Sequence, residues 1–371
     1  MPDQLPTELA RHAKECTECQ ACVRQCAFLE RHGTPRAIAD RGAGQSLDFA
    51  FDCSLCRLCD RVCPEKLAPS AMFLAMRRQL VTSGGGEFAA HRPILFFERQ
   101  GSSPLFSLYR LPPNCDTVFF PGCGLPATRS ATVPPLFDLL AARFPNLGIV
   151  LDCCGKPSHD LGRTRSFQER FDELRATLRN CGITKVVVAC PNCYRIFREY
   201  GEEFETIFLY DCLPPLPSLQ NGRTVTVHDP CGTRFDTDIH RRVREIVTSL
   251  GLTVREMKHC GSRTLCCGEG GSACFTAPVL ADTWRNKRLQ QAGDLTMVTY
   301  CAGCLSFFSP HHPTVHLADL YLDGDRALAG AVKPARPPFS YLHRLLLKVR
   351  LGRRVAAKFA GARGRVQRRS P

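Results

Sequence analysis

CTECQACVRQC, running from Cys16 to Cys26, returns as CSLCRLCDRVC from Cys53 to Cys63, so the spacing C-x2-C-x2-C-x3-C occurs twice in one chain. Three thiolates spaced by two residues wrap a single turn around a corner of a four-iron cube, while the fourth, offset by three, reaches elsewhere. Zinc sites use pairs of C-x2-C rather than a run of four. Disulfide staples would need an oxidising compartment. Met1 leads into Pro2, Asp3 and Gln4 with no apolar core, so no secretory signal is expected. The two runs read as ligands for two [4Fe-4S] cubanes, and the chain as one that moves electrons.

Around them lie 371 residues, long enough for two or three domains. The apolar fraction, 44%, is ordinary for a globular protein, whereas 23 cysteines are not, and in a reducing cytoplasm they point to metal or redox chemistry. No stretch approaches the roughly 20 apolar residues of a membrane span. The net charge of +14 is concentrated: residues 331–371 hold 12 Lys and Arg and no Asp or Glu, leaving +2 for the rest. With no basic groove or aromatic platform elsewhere, nucleic acid is not an expected partner.

The blocks expected are a mainly helical cysteine-run domain at 10–82, a connector at 83–116, two α/β domains at 117–222 and 223–325, and a basic tail at 326–371. The connector's apolar patches, Ile94 to Phe97 and Leu105 to Tyr109, are expected to lie across a neighbouring domain. Landmarks recur between the two α/β blocks at an offset near 110 residues. Thr117 to Phe120 runs into Cys123, and Thr224 to His228 into Cys231. Leu147 to Asp152 precedes Cys153-Cys154-Gly155, and Thr253 to Met257 precedes Cys266-Cys267-Gly268. Lys185 to Ala189 meets Cys190 and Cys193, and Thr296 to Tyr300 meets Cys301 and Cys304. An internal duplication with mostly parallel sheets follows, and the fold class is α+β multidomain. Cysteines just beyond strand ends occupy the usual site of open α/β sheets.

Adjacent cysteines strain a bond to each other but bridge metals readily. Cys123, Cys153, Cys154, Cys190 and Cys193 make one five-thiolate set; Cys231, Cys266, Cys267, Cys301 and Cys304 make another. Zinc, or an ordinary cubane on some of the five, also suits such a set.

The two N-terminal runs resemble the bacterial two-cluster ferredoxin pattern, in which the fourth cysteine serves the other cluster. That resemblance implies Cys16, Cys19 and Cys22 with Cys63, and Cys53, Cys56 and Cys59 with Cys26. Pro64 follows Cys63 as in the pattern, but Ala27 follows Cys26. Residues 10–322 as a whole resemble the cysteine-rich CCG domain family, in the layout of the fused heterodisulfide reductase catalytic subunit and of the iron–sulfur subunits of glycolate and glycerol-3-phosphate dehydrogenases. The resemblance implies a noncubane [4Fe-4S] cluster at each complete five-cysteine set, facing a shared cleft where a disulfide is split. Both sets are complete, which favours the catalytic reading; the competing reading, motivated by the lack of a flavin or nucleotide motif, is a non-catalytic relay between a flavoprotein dehydrogenase and a quinone or membrane cytochrome partner.

His159 follows Cys153-Cys154, His228 and Asp229 precede Cys231, and Glu269 follows Cys267; these are the acid–base candidates, or else hydrogen-bonding groups that tune a cluster without transferring protons. Cys115, Cys181, Cys212, Cys260 and Cys274 fall outside every set and read as structural. In the tail, Leu342, Leu345, Val349, Ala356 and Ala360 fall on one helical side with Phe359 close by. Arg344, Lys348, Arg354 and Lys358 lie on another, with Leu347, Leu351 and Val355 intruding on the basic side and Arg353 on the apolar one. This suits a peripheral helix on an anionic membrane at the cytoplasmic face, outside the cluster-bearing fold; a disordered basic tail, or one docked on an acidic partner subunit, is the alternative.

Overall fold

The computed structural model describes residues 4–42, 44, 46–86, 88–215 and 222–367, with side chains through Arg354. Five helices build the N-terminal region: α1 Leu5–Glu15, α2 Ala27–His32, α3 Pro35–Asp40, α4 Leu58–Val62 and α5 Pro69–Thr82. Leu5, Leu9 and His12, one turn apart, form the buried face of α1, which packs on α3 and α5. Thr34 caps α3 by accepting from the Ala37 amide at 3.1 Å and donates to Glu18 at 2.7 Å, tying the helix to the first cysteine run.

Both runs adopt the same unusual turn. Two and four residues after the first cysteine the backbone is left-handed: Glu18 (φ 54°) and Gln20 (φ 65°) in one, Leu55 (φ 49°) and Arg57 (φ 64°) in the other. Such residues each cost about 1–2 kcal/mol when they carry a Cβ, and four in matched places mark a constrained function rather than chance. Turns of this kind gather backbone N–H groups into an anion-binding concavity. The Leu55 amide already donates to the Cys53 sulfur at 3.4 Å.

The connector is built into the fold: α6 Arg92–Gly101 leads to β1 Leu108–Arg110, which pairs antiparallel with β3 Gly148–Leu151. The first sheet continues through β2 Thr117–Phe120, β4 Lys185–Val188 and β5 Glu205–Phe208 in the order β1-β3-β2-β4-β5, parallel from β3 onward. Helices α7 Gly124–Thr128, α8 Val133–Arg143, α9 Lys156–Asp160, α10 Thr164–Asn180 and α11 Pro191–Tyr200 connect its strands. The second sheet, β6 Thr224–His228, β7 Thr253–Val254, β8 Thr296–Thr299 and β9 Thr314–His316, runs β7-β6-β8-β9 in parallel, repeating the order of β3-β2-β4-β5. Its helices are α12 Thr237–Ser249, α13 Ala273–Thr276, α14 Pro278–Ala292, α15 Ala302–Phe308, α16 Leu317–Leu322 and α17 Gly324–Leu328. β7 ends at Val254, short of the expected Met257, although the Arg255 amide still donates to the Val225 carbonyl at 2.9 Å; beyond it the exposed Glu256 pairs with Arg244.

One hydrophobic core runs through both sheets, joined by Phe208 and Tyr210 against Tyr300. The buried Arg129–Asp319 ion pair joins them again. The helical region shares its own core with Cys266, Ala273, Leu280 and Trp284 of the second sheet unit. Arg77, whose place beside Arg78 suggests a polar face of α5, is instead fully buried. Its guanidinium donates to the carbonyls of Ala50 (2.9 Å), Phe51 (3.2 Å), Cys53, Asp160 (2.6 Å) and Gly271 (2.8 Å), so one side chain ties all three units. Arg234 does likewise for the Cys56 carbonyl at 2.6 Å and those of Ser262 and Thr264.

The tail corrects the expectation drawn from its pattern. Helix α18 Phe339–Gln367 lies against α7 and β1 of the first sheet unit. Ser340, Arg344, Leu347 and Leu351 form its buried side, while Leu342 and Val349 face outward. Arg344 turns inward because its guanidinium finds the Gly101 carbonyl at 2.6 Å and the Phe106 ring. Lys348 covers the carbonyls of Pro104 and Leu105. The side chains of Val355, Ala356, Lys358, Phe359 and Ala360 lie outside the described residues.

Candidate iron–sulfur centres

The N-terminal thiols line two cavities. Cys16, Cys19, Cys22 and Cys63 surround one, closed by Thr34, Pro35 and Leu67. Cys26, Cys53, Cys56 and Cys59 surround the other, closed by Phe28, Phe73 and Trp284. Cys266 of the second sheet unit also lines the second cavity and is hydrogen-bonded to Cys56. Burial pushes Cys22 and Cys26 up to about 12, with neighbouring thiols adding to the shift, so both stay protonated until a cation replaces the proton.

Ten of the remaining fifteen cysteines gather beyond the C-terminal ends of the parallel strands. β2 delivers Cys123, β3 the pair Cys153 and Cys154, and β4 Cys190 and Cys193. The sulfurs of Cys123 and Cys153 are 3.8 Å apart, and Cys193 touches both Cys154 and Cys190. In the second unit β6 delivers Cys231 and β8 Cys301 and Cys304, with Cys267 touching Cys266 and Cys304. Each set holds one thiol drawn down to about 7. Cys190 is lowered chiefly by the hydrogen bond from Cys193, and Cys267 by those from Cys266 and Cys304. Thiols ring these sites without closing on a point: among the described residues no three His, Cys, Asp or Glu groups converge as ligands of one metal ion. Backbone donors are present too, the Gly268 amide reaching the Cys266 sulfur at 3.3 Å. Five thiols with nearby backbone N–H donors are a set that can hold an iron–sulfur cluster.

The two sites confront each other reciprocally. Helix α11, which carries Cys193, packs on the Cys231–Thr233 turn; α15, which carries Cys304, packs on α7 behind Cys123. A Cβ on Gly232 would stand 2.7 Å from the Pro191 oxygen, and one on Gly124 would stand 3.4 Å from the Ala302 Cβ. Helix α9, following Cys153-Cys154, meets the Gly270–Ser272 turn that follows Cys266-Cys267. There Gly271 (φ 60°) is required, because a side chain would strike the Cys53 and Ser54 carbonyls.

Lys156 and Glu269 stand at that junction. Lys156 is paired with Asp160, and its charge acts on Cys190 of one set and Cys231 of the other. Burial raises the Glu269 carboxyl; Lys156 opposes the shift, and Cys190 and Asp160 add to it. A Cβ on Gly303, between Cys301 and Cys304, would meet the Glu269 carboxylate at 2.8 Å.

The histidines are placed differently. His159 has both ring nitrogens engaged at 2.9 Å, Nδ1 with Asp160 and Nε2 with the Tyr200 hydroxyl, and burial lowers its pKa. It steadies Asp160, and through it Lys156. His228 accepts from Arg288 Nε at 3.0 Å, packs edge-on to Phe308, and burial holds it neutral, leaving its Nε2 without a protein partner. Lys156, Asp160 and Arg77 escaped the sequence reading, although Lys156 directly follows the Cys153-Cys154-Gly155 motif. Among the unassigned thiols, Cys115 and Cys212 are buried core residues, Cys181 is exposed, and burial near Glu269 pushes Cys274 up to about 12.

Comparison with known families agrees with this geometry. Residues 12–67 match the 4Fe-4S dicluster domain, and residues 117–198 and 225–309 each match the cysteine-rich domain. The chain belongs to the iron–sulfur proteins that join a dicluster domain to paired CCG domains. It is 24% identical to a fumarate reductase (CoM/CoB) subunit of Methanothermobacter marburgensis over 78% of this chain and 66% of that protein. It is 23% identical to a dihydromethanophenazine:CoB–CoM heterodisulfide reductase subunit of Methanosarcina acetivorans, over 78% and 86% of the respective chains. The corresponding protein of Methanosarcina mazei is 23% identical over 75% and 83%. The chain is an iron–sulfur oxidoreductase of this type; no described helix is long and apolar enough to cross a membrane.

Proposed function

We propose that this protein splits a disulfide, or forms one from two thiols, in the cleft between its CCG domains. Cys16, Cys19, Cys22 and Cys63, and Cys53, Cys56, Cys59 and Cys26, would hold two cubanes; the two five-cysteine sets would hold two noncubane clusters. The observation that carries the reading is the reciprocal packing of two complete sets, one of them in contact with Cys56. The repeated strand order and the double match to one domain support an origin by duplication. Relatives named as heterodisulfide reductases favour the same chemistry.

The balanced step is R–S–S–R′ plus two electrons and two protons giving RSH and R′SH. The clusters, when bound, supply electrons one at a time and iron to hold sulfur. Lys156 places a positive charge where the departing sulfurs gain negative charge, and Asp160, held by His159, fixes that ammonium. Glu269 sits where a proton is needed and is raised by burial. His228 is left to orient the Cys231 turn through Arg288. Electrons enter or leave through a partner, a flavoprotein dehydrogenase or a membrane cytochrome or quinone system, at the cytoplasmic face. The relatives' names as parts of reductase complexes support such a partner.

Anaerobically purified protein should carry about sixteen irons per chain, four for each cluster. Adding a substrate thiol to the oxidised protein should create a paramagnetic signal that Cys153→Ser or Cys266→Ser abolishes. About eight irons with zinc in the remainder overturns the CCG assignment. A full iron complement with no thiol-dependent signal leaves the chain as a relay.

A further inference from the structure

Eight large hydrophobic side chains are exposed among the described residues, and six of them, Phe96, Leu105, Phe339, Leu342, Leu346 and Val349, lie on α18 or the segment beneath it. They form one surface. Tyr341 packs on Phe96, Phe97 and Phe106, and Lys348 reaches the Leu105 carbonyl at 3.1 Å, so the connector residues border the helix's outward side. Helix α18 has already met its own packing needs through Leu347 and Leu351, which leaves this second apolar face without a structural role. A contiguous apolar patch of this kind marks an interaction site.

We propose that this face lies in the interface of an anionic bilayer. Charge chooses the occupant. Exposed Arg350 borders the apolar stripe and exposed Arg353, one turn beyond Val349, ends its line, and residues 331–371 carry 12 positive charges and no negative one. A second copy on the same face would oppose this basic segment to itself, which like-charge repulsion disfavours. The patch is the outside of a helix rather than a groove, and the helix is not apolar enough to span. Apolar residues on one side with arginines at the rim is the arrangement of a helix lying in the headgroup region. The contact would seat the first CCG site toward the lipid: Arg344 holds the Gly101 carbonyl at 2.6 Å, and a Cβ on Gly101 would come 3.1 Å from the Cys153 Cβ. That orientation rests on the electron-transfer reading above; the binding itself does not.

The test is flotation of the full-length, iron-loaded protein with vesicles of phosphatidylglycerol and phosphatidylcholine, beside phosphatidylcholine alone. The protein should float with the anionic vesicles, bind the neutral ones far less, and come off at high salt. Leu342→Ser with Leu346→Ser, or Arg350→Glu with Arg353→Glu, should each weaken binding about tenfold. Val279→Ser, at an exposed site elsewhere, should bind like the unaltered chain. The proposal is overturned if the unaltered protein stays with the aqueous phase, or if either double variant floats as well as it does. It is also overturned if only vesicles containing membrane proteins capture it, which would make the occupant a protein. Iron content and the thiol-dependent signal, recorded on the same samples, report separately on the reaction.

Discussion

Cys56 of the dicluster domain is hydrogen-bonded to Cys266 of the second CCG domain, and that contact is the chief reason its thiol is held well above the ordinary cysteine range. The two belong to different proposed ligand sets. If both sets hold clusters as proposed, electrons passing between the inner cubane and the second CCG site would have no intervening residue to cross. Replacing Cys56 by alanine should lower iron by about four per chain while sparing the thiol-dependent signal of the oxidised protein. Undiminished iron would remove Cys56 from the ligands.

Arg77 is predicted to be the costliest non-cysteine residue to lose in the interior. Arg77→Met leaves five carbonyls in three units without their donor, a loss of about 4 kcal/mol or more. Arg77→Lys should recover part of it, since a point charge cannot spread over the same five acceptors. Thermal unfolding of the iron-loaded variants measures both; a shift equivalent to less than about 1 kcal/mol for the methionine variant refutes the role.

The cysteine sites were legible because their spacing is local and because strands buried on both faces, such as Val186 to Val188, read as plain apolar runs before each motif. Arg77 was not legible, since its acceptors come from Ala50, Asp160 and Gly271, far apart in sequence. Nor was the orientation of α18. Its leucines occur on more than one side, and only the Gly101 carbonyl and the surface around β1 decide that Arg344, Leu347 and Leu351 turn inward. Lys156 acquires its meaning only when Cys231 and Glu269, from the other domain, arrive beside it.

Lys156 should tune both CCG sites at once. Its ammonium favours added negative charge near Cys190 and Cys231, so Lys156→Met should lower the reduction potentials of both sites by tens of millivolts, and Lys156→Arg by less. Redox titration followed by paramagnetic resonance reads each site. Unmoved potentials would confine Lys156 to its pairing with Asp160.

The Arg129–Asp319 pair is a buried pair whose charges lose more hydration than their contact returns. Burial raises Asp319 to about 6 against the pull of Arg129, and burial lowers Arg129 as well. An aspartate raised above its unfolded value of about 3.9 favours folding at low pH and loses that contribution as pH rises through about 6. Arg129→Met with Asp319→Leu should therefore match or exceed the unaltered chain in stability at pH 7, and its advantage should shrink at pH 5. Either single change should cost about 3 kcal/mol by stranding one charge. A double variant less stable than both singles would show the pair to be a net stabiliser.

The C-terminal helix is predicted to be part of the cluster-bearing fold, contrary to what its composition suggests. Leu347 and Leu351 are almost wholly buried against the first CCG domain, so truncating either to alanine should cost about 2–4 kcal/mol. Ending the chain after Asp325 removes both, together with the Arg344 donor to Gly101, and uncovers the surface beside Cys123 and Cys153. About four irons, those of the first CCG site, should then be lost or become sensitive to chelators, with the dicluster absorption retained. Ending it after Arg354 keeps every one of these contacts and should preserve the full complement. Equal iron in both truncated proteins would place α18 outside the fold and leave membrane contact as its only role; loss from both would mean that residues beyond Arg354 also hold the site together.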